Sequence, residues 1–261
     1  MRSSLSRRDF VALTGASAMV LAGCSSDDSE TAAGSAEVEE EAEAEEEEVA
    51  DTEVDAEEEE ADYSDFISLE LVETGYFMEE DGDIHSGIGL YNPNETYAVS
   101  SPDVQIVGKA EDGTILFADE PPLCSVILPG QTMYFGRASY NDSDTEVPAT
   151  VEYSVLDPNE SQIEETDERA EEHYTFSNTS TQTSSTGRVS FTGEVTTVLA
   201  EEDEPSSTEL EVILRDASSA IVYGFNENID VPDEGETMAF EVGAWSDVPE
   251  FSTYEFYTVT W

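Results

Sequence analysis

Basic side chains are scarce in this chain. Against 63 Asp and Glu it carries eight Lys and Arg, and three of the eight, Arg2, Arg7 and Arg8, fall in the first ten residues. A surface with so few cations has almost nothing with which to displace the counterions of a nucleic acid backbone, which excludes nucleic acid as a partner. It also excludes electrostatic docking on anionic lipid head groups. Cysteine and histidine number two each, too few to suggest a transition-metal centre. There is no Gly-rich phosphate loop, no Gly-x-Ser-x-Gly elbow and no Ser/His/Asp order suited to a hydrolase. The sequence therefore nominates no catalytic residue, no cofactor and no metal ligand, and it reads as a non-enzyme. Long apolar runs are missing as well. The apolar stretch Phe10–Ala22 would span only ~20 Å as a helix, against the ~30 Å hydrocarbon core of a bilayer.

That short run has its own meaning. Residues 1–24 read as a basic start, an apolar segment, and small residues ahead of a cysteine, the layout of a signal peptide spanning 1–23. Ser6-Arg7-Arg8-Asp9-Phe10 resembles the twin-arginine consensus that routes folded proteins through the Tat translocon. Leu21-Ala22-Gly23-Cys24 resembles a lipobox. That resemblance implies diacylglycerol on the Cys24 thiol and cleavage just before it, giving a prokaryotic lipoprotein held on the extracytoplasmic face of the cell membrane. Several acyl chains anchor stably where a single chain binds reversibly.

Residues 24–62 carry 20 Asp or Glu and no basic residue. Glu and Ala favour helix, but like charges at i,i+4 oppose it and no apolar stripe could dock such a helix. A disordered, self-repelling tether is expected. Its 39 residues reach at most ~130 Å at ~3.3 Å each. A spacer that lifts the body off the membrane is favoured over a cation reservoir, because carboxylates without fixed geometry hold ions weakly.

Composition changes after Asp62. Apolar residues alternate through 66–72, and short apolar runs come next at 87–91, 97–99, 104–108, 114–118, 123–128, 132–136 and 149–156, separated by turn residues. This spacing predicts antiparallel strands in a sandwich. The second half repeats the first. Val104, Ile106, Lys109, Ile115, Leu116 and Phe117 align with Leu210, Val212, Arg215, Ile221, Val222 and Tyr223 at an offset of 106. Gly130–Phe135 aligns with Gly235–Phe240 at 105, and Tyr153–Val155 with Tyr257–Val259 at 104. The expected architecture is all-β: two tandem antiparallel Ig-like β-sandwich domains, 63–157 and 173–261, joined by an acidic linker at 158–172 that holds at most a short helical turn.

Gly87–Asn92, Val104–Val107, Glu111-Asp112-Gly113 and Leu128–Thr132 together resemble the FxLYD-like secreted β domains, although the Leu-Tyr-Asp motif itself is absent from Val104–Ala110. The resemblance implies an extracytoplasmic β-sandwich with no defined activity.

Few residues of the body suggest chemistry. Cys124 sits in an apolar run and is expected to be a buried small hydrophobe. His85 falls in a hairpin-like loop and His173 opens the second half, so they could share a metal only across an interface. Asp81-Gly82-Asp83 and Asn141-Asp142-Ser143-Asp144 are oxygen-rich like calcium loops but lack EF-hand spacing. Tyr134, Trp245, Tyr254 and Tyr257 are the candidates for an exposed aromatic patch. The sequence thus points to a surface-displayed binding or structural module whose partner is a cell-envelope protein or polymer; it leaves a small-molecule ligand open. An accessory lipoprotein of a transporter or envelope complex is the alternative, and an extracytoplasmic carbohydrate-active enzyme ranks last, because 63 acids offer countless carboxylate pairs without distances.

Overall fold

The computed structural model describes residues 63–141, 146–199, 206–244 and 247–259. Arg7, Arg8, Cys24, the acidic tract to Asp62 and Trp245 lie outside the described residues. Glu59–Trp261 forms one compact unit. Its strands, all paired antiparallel, are β1 (Glu70–Met78), β2 (Ile84–Tyr91), β3 (Tyr97–Ser100), β4 (Val104–Lys109), β5 (Ile115–Asp119), β6 (Val126–Ile127), β7 (Thr132–Ser139), β8 (Thr150–Val155), β9 (Ile163–Glu165), β10 (Tyr174–Thr183), β11 (Val189–Thr197), β12 (Ser207–Arg215), β13 (Ile221–Asp230), β14 (Thr237–Gly243) and β15 (Thr253–Thr258).

These strands form sheets of matching order. In the first half β1-β2-β7 faces β5-β4-β8, and in the second β10-β11-β14 faces β13-β12-β15. A small sheet, β6-β3-β9, closes the first half. Each half has its own core. Ile88, Leu90, Val104, Ile106 and Phe135 are completely buried in one, and Phe191, Val195, Leu210, Val212 and Leu214 in the other.

The turns correspond bond for bond. Gly130 N–H donates to Asn92 O at 3.0 Å, and Gly235 N–H, 105 residues on, donates to Thr197 O at 2.9 Å. Gly113 N–H donates to Ala110 O at 3.0 Å, and Ser219 N–H, 106 residues on, donates to Asp216 O at 3.1 Å. Gly113 takes φ +85° and Ser219 takes φ +69°, so the same left-handed turn is held by glycine in one half and by serine in the other. The last strand departs from the sequence alignment by one residue. Ile106 pairs with Tyr153 and Val212 with Phe256, so Tyr153 corresponds to Phe256 and not to Tyr257. With a period of two, that single step decides which face each side chain takes.

The stretch 158–172 is not all connector. Glu160–Gln162 makes a 3-10 turn capped by Asn159, and β9 directly after it pairs with Tyr97–Val99.

Burial separates outer sheets from inner ones. β11 alternates strictly between buried and half-exposed residues, and β4 does the same, because one face of each meets solvent. In β2, Ile84–Leu90 are all buried, and in β12 so are Leu210–Arg215. The reason is a second packing layer. β13 lies across β1, β2 and β7 on the side away from the first core. Gly75, Gly87, Gly136 and Gly224 line this seam. A Cβ on Gly136 would overlap the backbone of Phe225, and one on Gly224 would overlap the Ser86 carbonyl oxygen, so backbones meet here without intervening side chains.

Candidate functional site

The polar chemistry of the body is concentrated at this seam. β7 is an edge strand of its sheet and leaves the Gly136 N–H unpaired by a neighbour on that side. Glu211, on β12, accepts it at 2.7 Å through Oε2. The Arg137 guanidinium reaches over the same edge, donating to Glu211 Oε1 at 2.7 Å, to Gly136 O at 2.7 Å and to Pro122 O at 3.0 Å, and it also meets Glu209 Oε1 at 3.0 Å. Glu211 is fully buried. Burial is the main force pushing its carboxyl up to about 8; Arg137 and the Gly136 N–H oppose that rise, and Glu209 adds to it. Two carboxylates face one cation out of water, so retaining a proton leaves the cluster neutral.

A second cluster lies at the far end of β12. Arg215 donates to both oxygens of Glu73 on β1 at 2.8 Å, to Glu255 on β15 at 2.7 Å and to Ser219 O at 3.0 Å. Burial works against its charge, but hydrogen bonds to the Glu73 and Glu255 carboxylates more than restore it, so it stays protonated. Its guanidinium lies 5.3 Å from the Tyr134 ring centre, and Tyr134 stacks on Tyr257 at 4.9 Å. Burial, and next the bond to Glu255, raise the Tyr257 hydroxyl above the usual phenol range. Burial does the same to Tyr153, against the opposing bond to Ser86.

These arrangements hold surfaces together. Glu211 is buried from water, and the donors of Arg137 and Arg215 named above are taken up by protein oxygens.

The residues singled out from sequence fare differently. Cys124 is exposed, which corrects the expectation of burial: Leu123–Ser125 lies outside any strand, and it is Leu123 and Ser125 that point inward. His85 belongs to β2, not to a loop. It is buried, bonded to Glu79 at 2.8 Å and stacked on Tyr223 at 4.9 Å. His173 is half-buried beside Tyr174. Among the described residues no group of three or more His, Cys, Asp or Glu is placed to hold a metal. The two oxygen-rich loops do meet. Asn141 N–H donates to Asp83 Oδ1 at 2.9 Å, and its amide donates to Asp81 O at 3.3 Å. Tyr134, Tyr254 and Tyr257 are half-buried and belong to the seam or the second core, so they form no free aromatic patch.

Arg137 and Glu211 were not singled out from sequence, and Arg215 and Gly87 entered only through the repeat and the resemblance, with no role at a seam. A signal existed: after Asp62 only five basic residues occur, and three of them, Lys109, Arg137 and Arg215, stand within strand segments rich in Val, Ile, Leu, Phe and Gly. The outer face of β10-β11-β14 carries hydroxyls, with Ser180 meeting Thr192 at 2.9 Å and Thr196 meeting Thr237 at 2.8 Å. A shallow open depression of about 480 Å³ lies on it, lined by Asn178, Thr192, Glu194, Ala239 and Phe240 among others. No family model matches the chain, and comparison with curated proteins and with solved structures finds none similar to it.

Proposed function

We propose that the protein is a lipoprotein anchored through Cys24 to the extracytoplasmic face of the membrane, where its tandem sandwich domains serve as a non-catalytic binding or structural module of the cell envelope. The observation that carries this reading is the order of segments. An apolar run ends in Leu21-Ala22-Gly23-Cys24, an acidic tract free of basic residues comes at once after it, and a compact all-β unit comes after that. Two features of the fold support it. The sheets of the two halves meet backbone to backbone at Gly136 and Gly224, which suits a stiff display block. The outer sheets leave alternating polar faces for an envelope protein or polymer. Ser6-Arg7-Arg8-Asp9-Phe10 supports export of the folded block by the twin-arginine route.

Protease treatment of intact cells tests the display. The β unit is expected to be shed into the medium by cuts within the acidic tract, leaving a lipid-bearing N-terminal stub. Full protection of the chain until the cells are lysed would contradict the reading.

A further inference from the structure

Four of the seven asparagines open an Asn-x-Ser/Thr triplet: Asn94-Glu95-Thr96, Asn141-Asp142-Ser143, Asn159-Glu160-Ser161 and Asn178-Thr179-Ser180. In an exported chain such a triplet is an acceptor for an N-linked glycan, so glycosylation of this chain rests on the export reading.

The fold sorts the four. Asn94 is buried; its amide donates to Ile67 O and Asn92 Oδ1, both at 2.7 Å, and its own oxygen accepts the Ile67 N–H at 2.8 Å. A glycan there would break this corner. Asn141 is half-buried, with its amide donating to the carbonyls of Asp81 at 3.3 Å and Glu146 at 3.0 Å.

Asn159 and Asn178 are exposed. Asn159 caps the 3-10 turn, and both the backbone N–H, at 3.0 Å, and the hydroxyl of its own triplet's Ser161 donate to its Oδ1. Its amide donates to Oε1 of the half-exposed Gln162 at 2.6 Å, and Gln162 in turn donates to Ser101 O at 2.7 Å and Asp103 Oδ2 at 3.2 Å, so a glycan here displaces one amide contact while the capping bonds to Asn159 Oδ1 can stay. Asn178 sits where the pairing of β10 with β11 slips between Ser177 and Ser180, so 178 and 179 lie outside the ladder. Its φ is +51°, and its amide meets the half-exposed Glu194 at 2.6 Å. Asn178 is one of the residues lining the open depression of about 480 Å³ on this face, so its side chain borders open space.

We propose that Asn159 and Asn178 carry N-linked glycans. The step joins the side-chain Nδ2 to the anomeric carbon of a saccharide carried on a lipid phosphate. The anomeric C–O bond breaks, the phosphate leaves with its electron pair, and one amide proton goes to base. Nothing is oxidised or reduced. The glycan at Asn178 also bears on β10, the edge strand of its sheet, most of whose ten residues are exposed. A free edge of that length invites pairing with another chain, and a glycan at the bulge would block it.

The test uses the full protein purified from the cells that make it, with peptides read by mass. Saccharide mass is expected on the peptides holding Asn159 and Asn178, lost one site at a time in Asn159→Gln and Asn178→Gln, with the Asn94 peptide unmodified. If Cys24 carries lipid while all these peptides have their bare masses, the proposal is overturned and export stands. Saccharide on Asn94 would also overturn it. If Cys24 is bare, the leader uncut and no sugar present, the export reading falls and takes this proposal with it.

Discussion

Arg137 answers two carboxylates, Glu209 at 3.0 Å and Glu211 at 2.7 Å, with one positive charge. Glu211 holds its proton up to about 8 when folded, against an ordinary value of 4.5, so over that window the folded state binds a proton that the unfolded state has released. The resulting slope is negative: this group's contribution is intact below about pH 4.5 and declines as pH rises toward 8. Glu211→Gln keeps the shape of the protonated acid and removes the titration, so its melting temperature should fall less steeply than the parent's between pH 5 and 8, as calorimetry at matched salt would show. An unchanged slope would mean that Glu211 does not set it. Arg137→Ala leaves Glu211 buried beside Glu209 with no cation, and breaking such a pair costs about 3–5 kcal/mol. Because a protonated Glu211 tolerates the loss better, the deficit in urea denaturation should be larger at pH 8.5 than at pH 5.

At the scale of strands, the seam depends on glycine. A methyl group on Gly224 has nowhere to go except into the Ser86 carbonyl, so Gly224→Ala must push β13 away from β2. Overpacking of this kind costs about 1–3 kcal/mol. Gly113→Ala occupies open space and is strained only by its left-handed backbone, so it should lose less in the same measurement. These strands also show what could be read in advance. The apolar runs beginning at 97, 104 and 132 became β3, β4 and β7, because alternation and turn residues are local signals. The repeat offsets of 106 and 105 reappear as matching turn hydrogen bonds. The seam was not legible. Gly87, Gly136 and Gly224 look like weak spots within strands until another backbone is known to lie against them. His85 read as a loop residue because the Asp81-Gly82-Asp83 turn signal masks a strand that starts at Ile84. The sheet pair also shifted Tyr153 from a match with Tyr257 to one with Phe256, since aromatic residues stand at both 256 and 257 and residue identity alone favours the tyrosine.

Across the whole molecule charge dominates. Residues 63–261 carry 42 acidic and five basic side chains, so the folded body repels itself. Salt shortens the reach of that repulsion from ~10 Å at 0.1 M to ~3 Å at 1 M. The buried Arg137–Glu211 pair lies largely beyond its screening. The urea midpoint should therefore climb with added NaCl; a flat or falling midpoint would mean that surface repulsion does not limit the stability of the body. The same charge leaves the body nothing with which to hold an anionic membrane, so the attachment proposed above has to be covalent. Function stayed far less legible than fold, because neither the outer faces nor the seam displays a set of groups that names a ligand. The most direct measurement of the proposed anchor is the mass of the N-terminal peptide from membrane-extracted protein, set beside a Cys24→Ser variant. We expect a peptide beginning at Cys24 with a diacylglycerol-type mass on it, and a variant that no longer stays with the membrane. A soluble protein with an unmodified Cys24, cut elsewhere or not at all, would contradict the lipoprotein reading.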